Sequence, residues 1–433
     1  MSTSPTNAPT KLSDHEEFPR KNFKGAFDQV LKSDTNLLPI IAFCHLQWDW
    51  VWQRPQQFLS RLAKNRDVLF VETHRTDTRH AFVKVRFCTS TCPVTILEIH
   101  LPESRWADGN FIDLERRRVM QEALNFQEMD RFVGGVLWFN DPMAVTAYAG
   151  HLNEALIVYD CMDELTQFNG APPQLREREL YLTVQADVIF CGGRKMRNKR
   201  LPLNANTHFY GTGVDCSHFG TALLEETLVD KDIQCLPGPV LGYFGVIDER
   251  LDYDLIVALA DAFPHGSIAM IGPLAKVERS ALPNRPNLHW FGARPYAQLP
   301  SITKGFKVCL MPFALNASTE FINPTKALEY LAAGCPVVST ALDEVRTNCA
   351  GVVRIANDHA EFIKMAIEEA VHPSSARLEA GLALAADNSW EAITAALTHH
   401  IERTLALKNS QSMQEDESMN TIQELAMSGP NHV

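Results

Sequence analysis

The stretch "INPTKALEYLAAG" (Ile322–Gly334) sets a lysine and a carboxylate at the start of a helix. Asn323 suits the N-cap, Pro324 the first helical position and Gly334 the position just past the end. Such an N-terminus presents unpaired N–H groups and partial positive charge, which favours a phosphate. Lys326 in the first turn opposes the helix dipole, and a bound anion would explain its place there. Glu329 follows three residues later on the same face, where a carboxylate can accept both hydroxyls of a ribose. An ordinary surface Lys–Glu pair is the alternative. The strand "VCLMPF" and the small polar loop "ALNASTEFI" that precede the helix favour the ligand.

A second constellation lies near the other end. "HLQWDWVWQRP" (His45–Pro55) carries three alternate tryptophans between an apolar run, "LLPIIAFC", and an amphipathic helix that opens at Pro55. A strand-to-helix loop of an open α/β sheet lies at the carboxyl edge, where ligands bind. There Trp48 could stack on a flat acceptor surface or pack between loop and sheet. Arg54 is placed to meet a phosphate, and His45 or Asp49 to deprotonate an acceptor hydroxyl. Asp160 and Asp163 end the strand "ALIVYD" on the same edge, for an acceptor contact or a cap.

The elements that must hold these residues alternate regularly. Apolar β-rich runs and helical patterns follow one another from residue 37, break around residues 213–239, and resume as a second α/β series. This pattern predicts two tandem doubly wound, Rossmann-like domains, each of about 150 residues or more, with a cleft between their carboxyl edges. The expected division is a flexible lead over 1–36, a first domain over 37–212 and a linker over 213–239. A second domain over 240–375, helices over 376–408 and a disordered tail over 409–433 complete it.

With 433 residues, 45% hydrophobic and 21% charged, the composition is globular, and no apolar run is long enough to span a bilayer. The N-terminal residues have no apolar signal core. Ten cysteines in no framework, with Cys88 and Cys92 close but unmatched, fit a reducing compartment. A net charge of −12 argues against nucleic acid as a partner. The basic run "GRKMRNKR" (Gly193–Arg200) is either a solvated helix face or a contact to an anionic acceptor or membrane surface. "DYD" (Asp252–Asp254) matches a metal motif by letter but suits the first turn of a helix. "GYFG" and "GTGVD" lack the dinucleotide fingerprint, so no nicotinamide cofactor is expected.

The helix Ile322–Gly334, together with "YDCMDE" (Tyr159–Glu164), "ADVIFCGG", "GTGVDCSHF", "GYFGVIDERLDYDLI" and "NLHWFGARPYAQLP", resembles the GT-B glycosyltransferases of the group-one superfamily. The likeness runs from about residue 38 to 400. It implies an α/β GT-B fold and transfer of a sugar, with retention, from a nucleoside-diphosphate sugar to an acceptor hydroxyl. The acceptor would be a glycan, a lipid-linked group or another hydroxyl. The nucleotide sugar is a co-substrate, and neither a cofactor nor a metal is implied. Donor binding would fall on Gly245, Arg250, Asn323, Thr325, Lys326 and Glu329. Acceptor-side contacts would come from Trp48, Arg54, Asp160 and Asp163, with His45, Asp49 and Glu320 as catalytic candidates. Two departures stand out: Val246 takes the place of the usual arginine, and Phe321 that of the first of two glutamates, with Glu320 one residue off. The expected setting is surface polysaccharide or glycoconjugate synthesis in the cytoplasm, with possible peripheral contact at the inner membrane face. A nucleotide-sugar epimerase, or a binding protein without turnover, are the rival readings.

Overall fold

Ile40–Cys44 (β1) is buried at every position and contributes to two cores at once. Ile41 and Phe43 face one side of the sheet, while Ile40, Ala42 and Cys44 face the other. This is the mark of a parallel strand covered on both faces, and it explains why the run shows no polar alternation. The computed structural model describes residues 37–49, 52–87, 94–126, 128–167, 170–316, 319 and 325–427.

After β1 come α1 (Arg54–Leu62), β2 (Val68–Thr76), β3 (Phe82–Phe87), β4 (Val94–Pro102) and α2 (Gly109–Leu124). The first unit continues with β5 (Val136–Phe139), α3 (Val145–Tyr148), β6 (Leu156–Cys161), α4 (Leu175–Gln185), β7 (Val188–Cys191), α5 (Arg194–Arg200) and β8 (Thr207–Phe209). The strands form one sheet in the order β3-β4-β2-β1-β5-β6-β7-β8. All neighbours are parallel except β3, which runs antiparallel to β4. That edge pair was not read from the sequence. In β3 Val83 and Val85 pack against the core while Phe82 and Lys84 are exposed, so the strand alternates and lacks the continuous buried run of its neighbours.

Residues 213–239 hold two short helices, α6 (Cys216–Phe219) and α7 (Lys231–Gln234). Expected as a linker, the segment lends Val214, Phe219, Ala222 and Ile233 to the core of the second unit. That unit comprises β9 (Val240–Phe244), α8 (Tyr253–Ala262), β10 (Ser267–Ile271), β11 (Leu288–Gly292), α9 (Leu299–Lys304) and β12 (Val308–Met311). It closes with α10 (Lys326–Ala332), β13 (Val337–Thr340), α11 (Asp343–Asn348), β14 (Arg354–Ala356), α12 (His359–Val371) and α13 (Ser375–Asp387). Its six strands lie in the order β11-β10-β9-β12-β13-β14, all parallel. Counted within the unit this is 3-2-1-4-5-6, the doubly wound arrangement.

The last helix, α14 (Trp390–Met427), returns to the first unit. Trp390, Ile393, Leu397 and Ile401, spaced to share a helix face, pack against the same side of the first sheet as Phe58 and Leu62 of α1. Arg61 pairs with Glu391 at 2.7 Å, and backbone bonds tie Val214 to Asn388 and Trp390. The disordered tail expected from 409 is corrected as far as Met427, because the helix continues through residues that contain no Gly or Pro until Gly429 and Pro430.

Candidate functional site

In each sheet the first strand sits between two neighbours whose crossovers leave in opposite directions. β1 lies between β2 and β5, and β9 between β10 and β12. Loops diverging there open a crevice at the carboxyl edge. The two edges face one cleft of about 1030 Å³. Trp52, Arg54, Arg61, Met162, Asp163 and Gly192 line it from the first unit, Tyr296, Thr325 and Glu329 from the second, and Trp390 from α14.

On the second wall, α10 starts at Lys326 with Thr325 at its N-cap position. Lys326 projects over Gly245, directly after β9. A Cβ built on Gly245 would lie 3.0 Å from Lys326 Nζ, 2.7 Å from the Tyr243 hydroxyl and well inside the radius of Lys326 Cε. Gly245 also has φ +151°, outside the range that side chains adopt readily. Only glycine leaves room for the lysine here. Neither Lys326 nor Glu329 has an ion-pair partner among the described residues. Burial pushes the Lys326 ammonium's pKa below its ordinary value, while Glu329 and Asp248 push it up and Arg250 pushes it further down. Burial pushes the Glu329 carboxyl up, partly offset by Lys326. Glu329 lines the cleft and Lys326 sits beside it on α10, and two ionisable groups left without ion-pair partners there mark a candidate site.

Arg250 stands close by, but it is not free as expected. Asp248 clasps its Nε at 2.9 Å with both carboxylate oxygens and also accepts from Nη2. Asp252 caps α8 through Leu255 N at 2.9 Å and meets His359 Nε2 at 2.8 Å. Among the described residues no group of three His, Cys, Asp or Glu is placed to hold a metal. Glu320 and Asn323 lie outside the described residues, as do Phe321 and Pro324.

The first wall corrects several acceptor-side expectations. Trp48 is 2% exposed, stacks edge-on against Phe70 and belongs to the core; its backbone N–H donates to Glu72 at 2.8 Å. Farther along the same loop, Trp52 does line the cleft, at 50% exposure. Arg54 touches the cleft but is committed inward. Its Nε donates to Asp160 at 2.8 Å, and Nη1 to the carbonyls of Tyr210 and Gly211. Asp160 is fully buried and also accepts from Asn140 Nδ2 at 3.0 Å, so this pair is structural. Asp49 turns away to Arg86 at 2.9 Å. Asp163 does line the cleft, with no side-chain partner among the described residues, and burial raises its pKa against the opposing pull of His45 and Arg54. His45 lies instead in a neighbouring recess of the first unit. The basic helix α5 is partly internal, since Arg200 is buried against Glu164 and Glu179. Tyr296, stacked on His218 at 4.3 Å, is a cleft residue that no sequence signal singled out.

No protein-family model matches the chain. A putative teichuronic acid biosynthesis glycosyltransferase of Bacillus subtilis is 28% identical over 205 residues, 43% of this chain and 50% of that protein. The chain thus matches half the length of this relative. Among solved structures, trehalose-6-phosphate synthase of Burkholderia multivorans aligns with a TM-score of 0.57 at 12% identity, covering 86% of this chain and 99% of that one. Sucrose-phosphate synthase of Thermosynechococcus elongatus aligns at 0.55 and 14% identity, covering 86% of this chain and all of the other. A trehalose-6-phosphate structure from Escherichia coli, bound with UDP-2-fluoro glucose, aligns at 0.58 and 12% identity, covering 85% of this chain and 99% of that one. The chain has the GT-B fold, two Rossmann-like units facing each other across a cleft, and the likeness to GT-B glycosyltransferases read from its sequence is borne out.

Proposed function

We propose that the chain is a glycosyltransferase that moves a sugar from a nucleoside-diphosphate sugar to an acceptor hydroxyl, with retention. The observation that carries this reading is Lys326, lodged over Gly245 at the switch point of the second sheet without a counter-ion among the described residues. A half-buried ammonium over Gly245, directly after β9, calls for an anion, and a diphosphate bound in the neighbouring cleft supplies it. Arg250, oriented by Asp248, keeps Nη1 for the same group. Glu329 on the cleft wall accepts the ribose hydroxyls.

In this reading the chemistry is departure of the diphosphate and attack by the acceptor oxygen on the same face of the sugar. Lys326 and Arg250 stabilise charge as it builds on the leaving group, inside a cleft where such contacts count for more than in water. These two side chains supply the positive charge, so the reaction is read as metal-independent and without a cofactor. The first unit holds the acceptor, with Asp163 on the cleft wall to meet its hydroxyl and His45 in the adjoining recess. UDP is the nucleotide to try first, because one structural neighbour is bound with UDP-2-fluoro glucose and another is a UDP-forming synthase. The Bacillus subtilis relative's name supports a surface polysaccharide or glycoconjugate as product. Among the described residues no helix is long and apolar enough to cross a membrane, and work at the inner membrane face would rest on peripheral contact.

The test is calorimetric titration of UDP, GDP and dTDP into the wild type, Lys326→Ala and Glu329→Ala, followed by an assay for nucleoside diphosphate release. One nucleotide is expected to bind, with a loss of about tenfold or more in each variant. Release should require an acceptor. Sugar inversion without release would indicate an epimerase, and binding without either product a non-catalytic protein.

A further inference from the structure

A second recess, of about 770 Å³, opens at the carboxyl edge of the first sheet beside the cleft. His45 after β1, Arg75 on β2 and Trp106 line it together with one face of α2, on which Gly109, Asp113 and Arg116 recur at helical spacing. Arg178 from α4 also reaches it but is neutralised, since Asp113 accepts from both its Nη atoms at 3.0 and 2.8 Å.

Arg116 is different. Its side chain is 5% exposed, yet it has no carboxylate partner among the described residues. Nη1 donates to the Met143 carbonyl at 3.2 Å, and Nε has no partner. The arginines that follow it are both satisfied: Arg117 by the carbonyls of Thr146 and Ala147, Arg118 by Glu115 and Glu122. A guanidinium taken from water without an anion is costly, so a partner is missing from this site. Arg75 supplies a second cation. It is exposed, has no carboxylate partner among the described residues, and lies over the Trp106 ring at 4.2 Å. Asp141, whose Oδ1 caps Met143 N at 2.9 Å, is the one opposing carboxylate on the wall left outside an ion pair among the described residues. With Asp113 and Arg178 cancelling, two guanidinia face one carboxylate, and the recess is net positive.

We propose that this recess seats an acidic group of the acceptor sugar, a phosphate or a carboxylate, between Arg75 and Arg116. The planar fork of arginine matches either group with paired hydrogen bonds. His45, after β1, lines the recess, and Asp163, after β6, lines the cleft, so both openings lie at the carboxyl edge of the first sheet. In this proposal a sugar anchored by its acidic group in the recess leaves its hydroxyls for the cleft side. The role as acceptor rests on the proposed function; binding of the acidic group does not.

Glucose 6-phosphate, glucuronate and glucose are titrated by calorimetry into the wild type, Arg75→Ala and Arg116→Gln, with UDP titrated in parallel. At least one acidic probe should bind better than glucose, and each substitution should weaken it about tenfold or more. UDP affinity should stay the same in both variants. Tight binding of the phosphosugar alone assigns a phosphorylated acceptor, and of glucuronate alone an acidic-sugar acceptor. Arg75 is exposed, so Arg75→Ala still tests the site even if Arg116→Gln does not fold. The proposal is overturned if neither acidic probe exceeds glucose, or if a bound probe is indifferent to Arg75→Ala. Loss of UDP binding with the acidic probe retained would strike the donor reading alone and leave this recess as an anion site.

Discussion

Replacing Gly245 with alanine should disable Lys326 without altering its charge. The added methyl would overlap Lys326 Cε, stand 2.7 Å from the Tyr243 hydroxyl and force alanine to φ +151°. Backbone strain of this kind costs about 1–3 kcal/mol, which lowers the thermal midpoint by roughly 2–12 °C for a domain of this size. Lys326 must also leave its place over β9, with the loss of one charged contact to the diphosphate, worth about 1.5–3 kcal/mol. That corresponds to a drop in nucleotide affinity of roughly ten- to a hundredfold. The assay is calorimetric titration of the nucleotide at a temperature where the variant is still folded by circular dichroism. Gly220→Ala is the control, because a Cβ there meets nothing within 4 Å. If folded Gly245→Ala binds nucleotide as tightly as the wild type, Lys326 does not hold the diphosphate from this position, and its burial does not mark a ligand site.

Further outcomes are expected. Because burial lowers the Lys326 pKa from 10.5, nucleotide binding should be complete below the folded value and fall as pH rises through it, with a midpoint below the ordinary lysine range; Lys326→Arg should move that loss to higher pH. The same shift means that the free protein binds fewer protons than the unfolded chain between the two values, so stability rises with pH across that window. Lys326→Met should then raise the urea midpoint of the free protein at neutral pH while weakening the nucleotide. Arg54→Met leaves Asp160 buried with only Asn140, which should cost about 3–5 kcal/mol in urea unfolding. The tryptophans should separate: Trp48→Ala costs about 3–5 kcal/mol, whereas Trp52→Ala leaves stability nearly unchanged and lowers the fluorescence response to cleft ligands, with Trp390 on the same wall supplying what remains.

The contrast between Lys326 and Arg54 shows what kind of site information a single chain carries. Lys326 and Glu329 were legible because their oddity is local: a cation against a helix dipole, with a carboxylate three residues on, needs no knowledge of the rest of the molecule. Arg54 was misread because its explanation is distant. The carboxylate that claims it lies 106 residues away on β6, brought close only when the sheet forms. Trp48 fails in the same way, since Phe70 and Glu72 on β2 decide that it turns inward while Trp52 turns out. The alternation of buried runs and helices exposed the two sheets, because strands covered on both faces leave no other pattern. The return of α14 was hidden for the converse reason: Trp390, Ile393, Leu397 and Ile401 mark an apolar face, but nothing in their spacing says which sheet it will cover. Arg116 belongs to neither case. Its two sequence neighbours find partners and it does not, so only the folded chain reveals that a buried charge there still lacks one. A charge satisfied at long range misleads a reading of sequence, and a charge left unsatisfied in the fold directs attention to what the protein binds.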